Sequence, residues 1–375
     1  MNNKYPLNSA PVLQVKGLTT ILGGRKIIDI SELNVWPNET LMIIGPNGSG
    51  KTTLLLSMAL LLKPSTGIIK YHGVKIDNAR QILAQRRRIA VVLQEPLLLN
   101  SSVMDNVTLG LKLRKVPRPM IHERAIKWLE RFGVDHLAKR QARTLSGGEA
   151  RRVSLARAFA LEPEILFLDE PFIALDSPTK QALLEDFEDV IHETKSTVVM
   201  VTHDRNEALT LGERVAVIMN GTIRQYGTTD EIFTSPVDEE IANFVEAGNI
   251  LRGIITAQEN GLAVLNVNGV NIQVATDLPV GTETTGYMHY DDVTLYVNEP
   301  AAASSARNHL KGYITRIISA GAQIKVFVDC GFKLVALITR RSWQELGLEV
   351  GMEIQAVFKA TSIHLIPRHT AEADY

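Results

Sequence analysis

The chain has 375 residues, enough for two or three domains, and its 45% hydrophobic and 22% charged residues are typical of a folded protein rather than a disordered one. Its net charge of −1 gives no support for a nucleic-acid partner, and we expect none. The single cysteine, Cys330, excludes an intrachain disulfide and favours a reducing compartment. Because no apolar run approaches the roughly 18–20 residues that span a bilayer, and no signal core follows Met1, we expect a cytosolic chain that reaches a membrane only through a partner.

The N-terminal part of the chain begins with strands and a glycine-rich loop. Residues 12–35 read as short strands, and Gly23 and Gly24 predict a hairpin turn between them. An apolar run at 41–44 leads into a loop of the pattern G-x-x-x-x-G-K-[ST], and a helical stretch follows at 53–62. Strand, glycine loop and helix in this order predict a phosphate-binding site.

This loop has the chemistry to bind the phosphates of a nucleotide. Glycines let backbone N–H groups turn inward, and the N-terminus of a helix attracts phosphate. We predict that Lys51 reaches the β- and γ-phosphates and that the Thr52 hydroxyl holds Mg²⁺. The predicted nucleotide-binding residues here are Gly45, Pro46, Asn47, Gly48, Ser49, Gly50, Lys51, Thr52 and Thr53.

A long helical stretch follows a strand that ends at Gln94. The basic run at 86–88 precedes this strand and reads as a solvated face. From about 104 to 161 the period is helical, and the stripe Ile121, Ala125, Trp128, Leu129 and Phe132 predicts a packed core face. The sequence Leu145-Ser146-Gly147-Gly148-Glu149 lies within this stretch.

Two later strands end in polar residues. The apolar run at 165–168 leads into Asp169 and Glu170, and the β-branched run at 197–202 leads into His203. Strands that alternate with helices favour a mostly parallel sheet, and ligands of such sheets sit at the carboxyl ends of the strands. We therefore expect the glycine loop, Asp169, Glu170 and His203 to converge on one site.

The pattern changes after about residue 249. Short alternating strands with frequent glycines replace the helical periods, and a small-residue linker at 299–305 divides this region in two. Regular short strands predict one or two five-stranded β-barrels. The predicted strands are 264–267, 271–274, 286–288, 312–317, 324–328, 333–338 and 353–358.

The order of motifs up to about residue 235 resembles the ATP-binding subunits of ATP-binding-cassette (ABC) transporters. The resemblance implies an α/β P-loop NTPase cassette, with a mostly parallel sheet and a helical subdomain at about 96–160, followed by C-terminal all-β, OB-like barrels. The implied domains are 1–245 for the cassette, 246–298 for a first β-rich tail segment and 304–368 for a last, regulatory one.

The resemblance also implies catalytic roles for the motif residues. Glu170 would be the general base, His203 would orient the attacking water, and Gln94 would contact that water and Mg²⁺. Thr52, Gln94 and Asp169 would hold the Mg²⁺. The signature residues would close on the ATP of a second protomer, so the implied catalytic unit is a head-to-tail homodimer; they are Ser146, Gly147 and Gly148.

One segment is similar to the importer subgroup of this family. Residues 94–103 lie where importers receive a coupling helix of a membrane permease. The implied cofactors are therefore ATP and Mg²⁺, and the implied partners are permease subunits and, indirectly, an extracytoplasmic solute-binding protein. The implied location is peripheral, at the cytoplasmic face of the cell membrane. One departure is Leu22, which stands near the turn where the family stacks adenine on an aromatic residue.

The last part of the chain is similar to molybdate-binding (molbindin-type) domains. This resemblance implies that the ATPase drives import of molybdate or tungstate and that the tail senses the oxyanion. Arg307 and Lys359 supply positive charge, and Asn308 and Ser362 can donate hydrogen bonds to tetrahedral oxygens. Because one such set is sparse for a dianion, we expect the site to form between two tails of the dimer.

Three other interpretations stay open on the sequence. One is the same machine for another solute, such as sulfate, a sugar or a metal chelate. Another is a soluble cassette ATPase that acts in DNA repair or translation, although such proteins usually carry paired cassettes or basic inserts. The third makes the tail a dimerisation module without a ligand.

Overall fold

The computed structural model of the protein describes residues 10–245, 248–297, 304–320 and 323–367. The chain divides into two compact units, Met1–Thr229 and Asp230–Tyr375. The predicted cassette extends to residue 245, whereas the helix Glu239–Phe244 lies in the second unit, so the domain bounds inferred from the sequence stay a prediction. Among the described residues, no helix is long and apolar enough to cross a membrane.

The first unit contains two sheets and a set of helices. Its strands are β1 Leu13–Leu22, β2 Arg25–Val35, β3 Thr40–Ile44, β4 Thr66–Tyr71, β5 Val74–Lys75, β6 Ile89–Val92, β7 Ile165–Asp169, β8 Thr197–Thr202, β9 Arg214–Met219 and β10 Thr222–Thr228. Its helices are α1 Lys51–Met58, α2 Ala79–Arg86, α3 Val103–Leu113, α4 Arg118–Arg131, α5 Gly147–Phe159, α6 Ser177–Thr194 and α7 Arg205–Leu211, with 3₁₀ turns at Asp135–Leu137 and Ala142–Thr144.

The central sheet has the strand order β10-β9-β3-β8-β7-β6, and its strands run parallel except for β10. In register, Ile44 lies opposite Thr202, and Asp169 lies opposite Val201. Strands β3, β7 and β8 therefore end at the same edge of the sheet. This confirms the parallel sheet and explains how three separate sequence motifs come together.

A second, antiparallel sheet packs in the same unit, with the order β2-β1-β4-β5. The β1–β2 hairpin turns at Gly23 and Gly24, whose φ angles of 57° and 79° favour glycine, as the sequence predicts. Apolar residues of both sheets and of α1 form one buried cluster around residues such as Leu13, Ile43 and Leu54. This core supports the loop that precedes α1.

The predicted helical stretch consists of α3, α4, the two 3₁₀ turns and α5. The stripe Ile121, Ala125, Trp128, Leu129 and Phe132 is buried, which confirms its assignment to a core face. Trp128 stacks on Phe159 of α5, with ring centroids 4.9 Å apart. Aromatic packing thus joins α5, the helix that begins at the signature residues Gly147 and Gly148, to the rest of the helical region.

The second unit is largely β-structure. After helices α8 Thr229–Thr234 and α9 Glu239–Phe244, its elements are β11 Asn249–Glu259, β12 Leu262–Val267, β13 Val270–Ala275, β14 Glu283–Met288, β15 Thr294–Tyr296, β16 Asn308–Ala320, β17 Gln323–Asp329, β18 Lys333–Thr339, α10 Arg340–Leu346, β19 Glu353–Phe358 and β20 His364–Pro367. The 3₁₀ turns Tyr290–Asp292 and Ala360–Ser362 precede β15 and β20.

The two halves of this unit exchange their last strands. Strands β13-β12-β11-β14-β20 form one five-stranded sheet, and β15-β19-β16-β17-β18 form the other. Thus β15, which follows β14 in the chain, pairs with β19, whereas β20 pairs with β14. Buried residues of both halves form one apolar cluster, so the halves share a core.

Two asparagines connect the two halves in a reciprocal way. The side-chain amide of Asn249, at the start of β11, donates to Val335 O (2.8 Å) and accepts from Val335 N (2.6 Å). The amide of Asn308, at the start of β16, donates to Gln273 O (2.8 Å) and accepts from Gln273 N (2.7 Å). Each half therefore holds a strand of the other through a buried amide, as an internal duplication would give.

Candidate active site

The carboxyl ends of the central strands border a cavity of about 440 Å³. It is lined by residues of the glycine loop, the start of α1 and the ends of β6, β7 and β8. The lining residues are Ile27, Asn47, Gly48, Gly50, Lys51, Thr52, Thr53, Gln94, Glu170, Ile173 and His203. The structure thus brings the predicted loop, glutamine, carboxylate and histidine together on one cavity, as parallel-sheet geometry requires.

Glycines let the loop pass close to neighbouring backbone. Gly50, which caps α1, has a φ of 100°, and a Cβ there would lie 2.5 Å from Ile28 Cγ2. At Gly45 a Cβ would lie 2.1 Å from Ile218 O. No larger residue fits either position without moving the backbone. The loop therefore presents its N–H groups and the N-terminus of α1, which suit a phosphate.

Lys51 is buried within this loop. Its ammonium donates to Gly45 O (2.9 Å) and Pro46 O (3.0 Å), so the loop carbonyls hold it at the cavity. Burial lowers the pKa of Lys51, while the charges of Glu170 and Asp169 oppose that shift. A desolvated cation of this kind interacts strongly with phosphate oxygens.

Asp169 does not line the cavity itself but is hydrogen-bonded to Thr52, which does. The Thr52 hydroxyl donates to Asp169 Oδ1 at 3.0 Å. Burial raises the pKa of Asp169, the hydrogen bond from Thr52 lowers it, and the charge of Glu170 raises it further. A hydroxyl, a carboxylate and the nearby Gln94 amide are hard oxygen donors of the kind that Mg²⁺ prefers, so the residues fit this ion.

Glu170 and His203 form a direct pair at the cavity. Glu170 Oε1 lies 3.0 Å from His203 Nδ1. The Glu170 carboxylate is largely shielded, with 12% of the side chain exposed, whereas the imidazole is 47% exposed. This geometry lets one carboxylate accept a proton while the imidazole presents its other nitrogen to a bound group.

The backbone at Gln94 is held by two arginines that belong to none of the sequence motifs. The buried guanidinium of Arg151 donates to Gln94 O (2.5 Å) and lies 3.4 Å from Leu93 O. Arg157 donates to Pro96 O (2.9 Å) and Leu97 O (3.0 Å). Helix α5 therefore fixes the backbone on both sides of Gln94 through Arg151 and Arg157. Arginines six residues apart do not share one face of a helix and form no recognisable pattern, so the sequence alone does not single them out.

The signature residues lie elsewhere. Ser146 caps α5: its hydroxyl accepts from Glu149 N at 3.3 Å, and its own N–H donates to Glu149 Oε2 at 2.6 Å. That backbone hydrogen bond lowers the pKa of Glu149. Ser146, Gly147 and Gly148 do not line the cavity that holds Lys51. Their use by the nucleotide of a second protomer remains a prediction.

No aromatic residue lines the cavity within the described part of the chain. Ile21 and Leu22, at the β1–β2 turn, are exposed, and Ile27 and Ile173 contribute the apolar lining. The two isoleucines lie outside any motif, and only the fold brings them to the cavity.

The residues predicted to bind an oxyanion lie at the ends of tail strands. Asn308 pairs with Phe358 across β16 and β19, so Arg307 and Lys359, the next residues outward, lie at the same end of this ladder. Both are exposed, and Ser362 N donates to Lys359 O at 3.2 Å. Asn308 differs, because it is 3% exposed and its amide already bonds to Gln273. The structure gives Asn308 a part in joining the two halves.

The fold and the site together define a P-loop nucleotide hydrolase with an inserted helical region. Comparison with protein families agrees: the ABC transporter model matches residues 28–173, and the TOBE domain model matches residues 304–365.

Similar proteins extend over nearly the whole chain. The molybdate/tungstate import ATP-binding protein WtpC of Pyrococcus horikoshii is 35% identical over 358 residues, which covers 95% of this chain and 100% of that protein. WtpC of Pyrococcus abyssi is also 35% identical, over 94% of this chain and 99% of that protein. The spermidine/putrescine import ATP-binding protein PotA of Fusobacterium nucleatum is 32% identical over 81% of this chain and 82% of that protein. The chain therefore belongs to the ABC transporter family, as an ATP-binding subunit with a C-terminal TOBE domain, and is an ATPase coupled to transport.

Solved structures agree with this assignment. CbiO1 of Clostridium perfringens, part of the transporter complex CbiONQ, matches with a TM-score of 0.56 at 29% identity and covers 63% of this chain and 94% of that one. The ATP-binding cassette MJ0796, in a dimeric structure bound to ADP and Pi, matches with a TM-score of 0.54 at 29% identity. The match covers 58% of this chain and 98% of that one. The family and the fold class predicted from the sequence are thus confirmed.

Proposed function

We propose that this chain is the ATPase of a molybdate or tungstate importer and acts as a homodimer beneath a membrane permease. The hydrolytic part rests on one observation: Glu170 lies 3.0 Å from His203 on the same cavity as Lys51 and Thr52. The substrate part rests on the similarity to molybdate/tungstate import proteins over nearly the whole chain.

The roles of the site residues follow from phosphoryl transfer, which needs positioning and charge neutralisation more than covalent chemistry. Lys51 and the loop N–H groups bind the β- and γ-phosphates of ATP. Glu170 accepts the proton of the attacking water, and His203 orients that water and the γ-phosphate. Gln94 places its amide at the same water.

Thr52, Asp169 and Gln94 would hold Mg²⁺, which supplies neutralisation of charge on the phosphate oxygens when it is bound. Burial raises the pKa of Asp169 because it disfavours the charged carboxylate, and a cation bound beside it would stabilise that charge. The Thr52 hydroxyl, which donates to Asp169, keeps its oxygen at the cavity.

The homodimer completes the site. Ser146, Gly147 and Gly148 present the N-terminus of α5, which suits an anion, but they do not line their own chain's cavity. A Cβ at Gly147 would meet nothing within 4 Å, so its surface is open to a second molecule. We assign these residues to the γ-phosphate of the partner's ATP.

The permease contact falls on the segment that follows Gln94. Leu97 and Leu99 are more than half exposed there, although they are large apolar residues. Because Arg151 and Arg157 bind the backbone of this segment, a permease helix docked on it would act directly on the position of Gln94. We therefore propose that the chain works at the cytoplasmic face of the membrane, with an extracytoplasmic solute-binding protein as an indirect partner.

The tail is the proposed sensor of the transported oxyanion. Arg307 and Lys359 lie at one end of the β16–β19 ladder, and their two positive charges favour an anion. Ser362 contributes a hydroxyl. Titration calorimetry of the purified chain with molybdate, tungstate and sulfate tests this proposal. Binding that Arg307→Ala removes and Arg341→Ala, on exposed α10, retains supports it. Absence of binding for all three anions leaves a dimerisation module.

Polyamine import is the second candidate, because the chain is 32% identical to a spermidine/putrescine import protein. Sulfate, a sugar or a metal chelate are other solutes that a transporter of the same kind could import. The catalytic site does not distinguish these candidates, since ATP chemistry is common to all of them.

Transport-coupled hydrolysis in proteoliposomes decides between the substrates. The chain is assembled with its permease subunits, and the loaded solute-binding protein is added outside. We expect molybdate or tungstate to stimulate phosphate release several-fold, and sulfate and spermidine to leave it unchanged. Stimulation by spermidine alone would overturn the substrate assignment but not the ATPase assignment.

A further inference from the structure

A cluster of charged side chains lies beside the catalytic pair, on residues to which the motifs assign no role. Lys180 stands in the first turns of α6. Its ammonium lies 2.5 Å from Asp204 Oδ2 and 2.6 Å from Glu207 Oε1. The side chains of Lys180 and Asp204 are 23% and 31% exposed, whereas that of Glu207 is 3% exposed, so only the ion pair with Glu207 has a buried partner.

The cluster fixes the backbone on both sides of His203. The Thr202 hydroxyl donates to Glu207 Oε2 at 2.6 Å and accepts from Asp204 N at 3.0 Å. Asp204 caps α7, because its Oδ1 accepts from the N–H groups of Asn206 (2.8 Å) and Glu207 (3.3 Å). The residues immediately before and after the histidine are therefore bound to the same group of side chains.

The cluster also adjoins the catalytic base. Glu170 and His203 share a cavity of about 150 Å³ with Lys180, Asp204 and Glu207, which are among its lining residues. Lys180 does not line the larger cavity of Lys51 and Thr52. It can thus influence the reaction only through its neighbours.

We infer that Lys180 is a positioning residue for ATP hydrolysis: it ties helix α6 to the end of strand β8 and thereby holds His203 against Glu170. The inference rests on the proposed roles of Glu170 and His203. Its physical basis is charge balance. Without the ammonium, the buried Glu207 carboxylate would lose its cation and face the like charge of Asp204, and their repulsion would move the backbone that carries the imidazole.

The test is the kinetics of Lys180→Met. We expect kcat to fall about tenfold to a hundredfold, because small displacements of catalytic groups have effects of this size. The KM for ATP should stay within about twofold, since the phosphate loop is untouched. Lys180→Arg should keep most of the activity, because the cation remains. Lys16→Met is the matched control, since it removes an exposed lysine that pairs with Glu32 at 3.6 Å on β1 and β2.

A spectroscopic readout separates positioning from general stability. The imidazole resonances of His203, assigned by their loss in His203→Gln, should shift in Lys180→Met and stay unchanged in Lys16→Met. If Lys180→Met does not fold, the double variant Lys180→Met/Glu207→Gln removes the repulsion between the two carboxylates but still lacks the tie between α6 and the end of β8, so kcat and the His203 resonances should change in the same direction by a smaller amount.

Two results would overturn the inference: a folded Lys180→Met with parental kcat, or His203 resonances that do not respond to it. Full activity in Glu170→Gln would instead overturn the proposed roles of the catalytic pair, so the two failures are distinguishable.

Discussion

Glu170 combines a strained backbone with a direct contact to His203. Its φ of 46° lies in the left-handed region, where a residue with a Cβ carries a cost of about 1–3 kcal/mol. The Glu170 N–H donates to Val201 O at 2.9 Å, so the neighbouring strand enforces this conformation. The sheet thus turns the carboxylate toward His203 at the point where β7 ends.

Glu170→Gln should lower turnover by at least about a hundredfold, because it removes the base and keeps the shape of the side chain. ATP binding should remain, since Lys51 and the loop are unchanged. Phosphate release and the binding of a fluorescent ATP analogue measure the two effects. Glu185→Gln, on the exposed face of α6, is the control. Turnover near the parental rate would show that Glu170 is not the base.

Leu22 is the position at which we predict that a substitution can raise the affinity for ATP. It and Ile21 are 44% and 49% exposed at the turn where the family carries an aromatic residue. Leu22→Tyr should tighten ATP binding by about 0.5–1.5 kcal/mol, the usual gain from aromatic stacking. The dissociation constant for ATP measures this change. Leu83→Tyr, at an exposed leucine of α2, should have no effect, and equal affinities of Leu22→Tyr and the parent would refute the prediction.

Among the elements, the two halves of the tail depend on their buried asparagines. Asn308→Ala removes both hydrogen bonds to Gln273 and leaves a backbone N–H and C=O without their partner. Each such loss in a buried place costs about 1–3 kcal/mol. We therefore expect the melting temperature of the tail to fall by several degrees. Differential scanning calorimetry of the full chain measures it.

Asn249→Ala should have a similar effect, because its amide binds Val335 in the same reciprocal way. Asn271→Ala is the control, since Asn271 is exposed and bonds to the side chain of Asn266. A tail that melts at the parental temperature in both Asn308→Ala and Asn249→Ala would contradict this account of how the halves are joined.

Most elements could be predicted from the sequence, because their signals are local. The apolar run before Asp169, the glycines of the β1–β2 turn and the stripe around Trp128 each depend on residues close in the chain. The exchange of β15 and β20 could not be predicted in this way. Each of these short strands has two similar sheet edges available, and the choice between them depends on packing in the shared core.

For the whole molecule, we expect ATP to drive dimerisation through the signature. Glu170→Gln with ATP and Mg²⁺ should sediment as a dimer, because bound ATP persists between the protomers. Adding Ser146→Arg should keep the protein monomeric, since a large side chain then fills the contact, while ATP still binds Lys51. Ala84→Arg, on exposed α2, is the matched control. A stable ATP-dependent dimer of the Ser146→Arg variant would refute the proposed interface.

The candidate site divides in the same way between predictable and unpredictable parts. Lys51, Thr52, Asp169, Glu170 and His203 could be predicted to converge because parallel strands end at one edge, and Gln94 could be added from the family resemblance. Arg151 and Lys180 could not, because each acts on a backbone or side chain far along the sequence and resembles an ordinary helix-surface cation. Motif order therefore predicts the groups at the reaction centre better than the groups that support them.

The exchange of strands in the tail also has a consequence for protein synthesis. Strand β14 ends at Met288, but its outer neighbour, His364–Pro367, leaves the ribosome much later. Strand β15 likewise cannot pair until its partner strand, Glu353–Phe358, has been synthesised. A nascent chain can therefore complete its phosphate site early, while both sheets of the tail keep an open edge until the final residues emerge. Translation that stops before residue 364 would yield an intact nucleotide pocket attached to an unfinished tail.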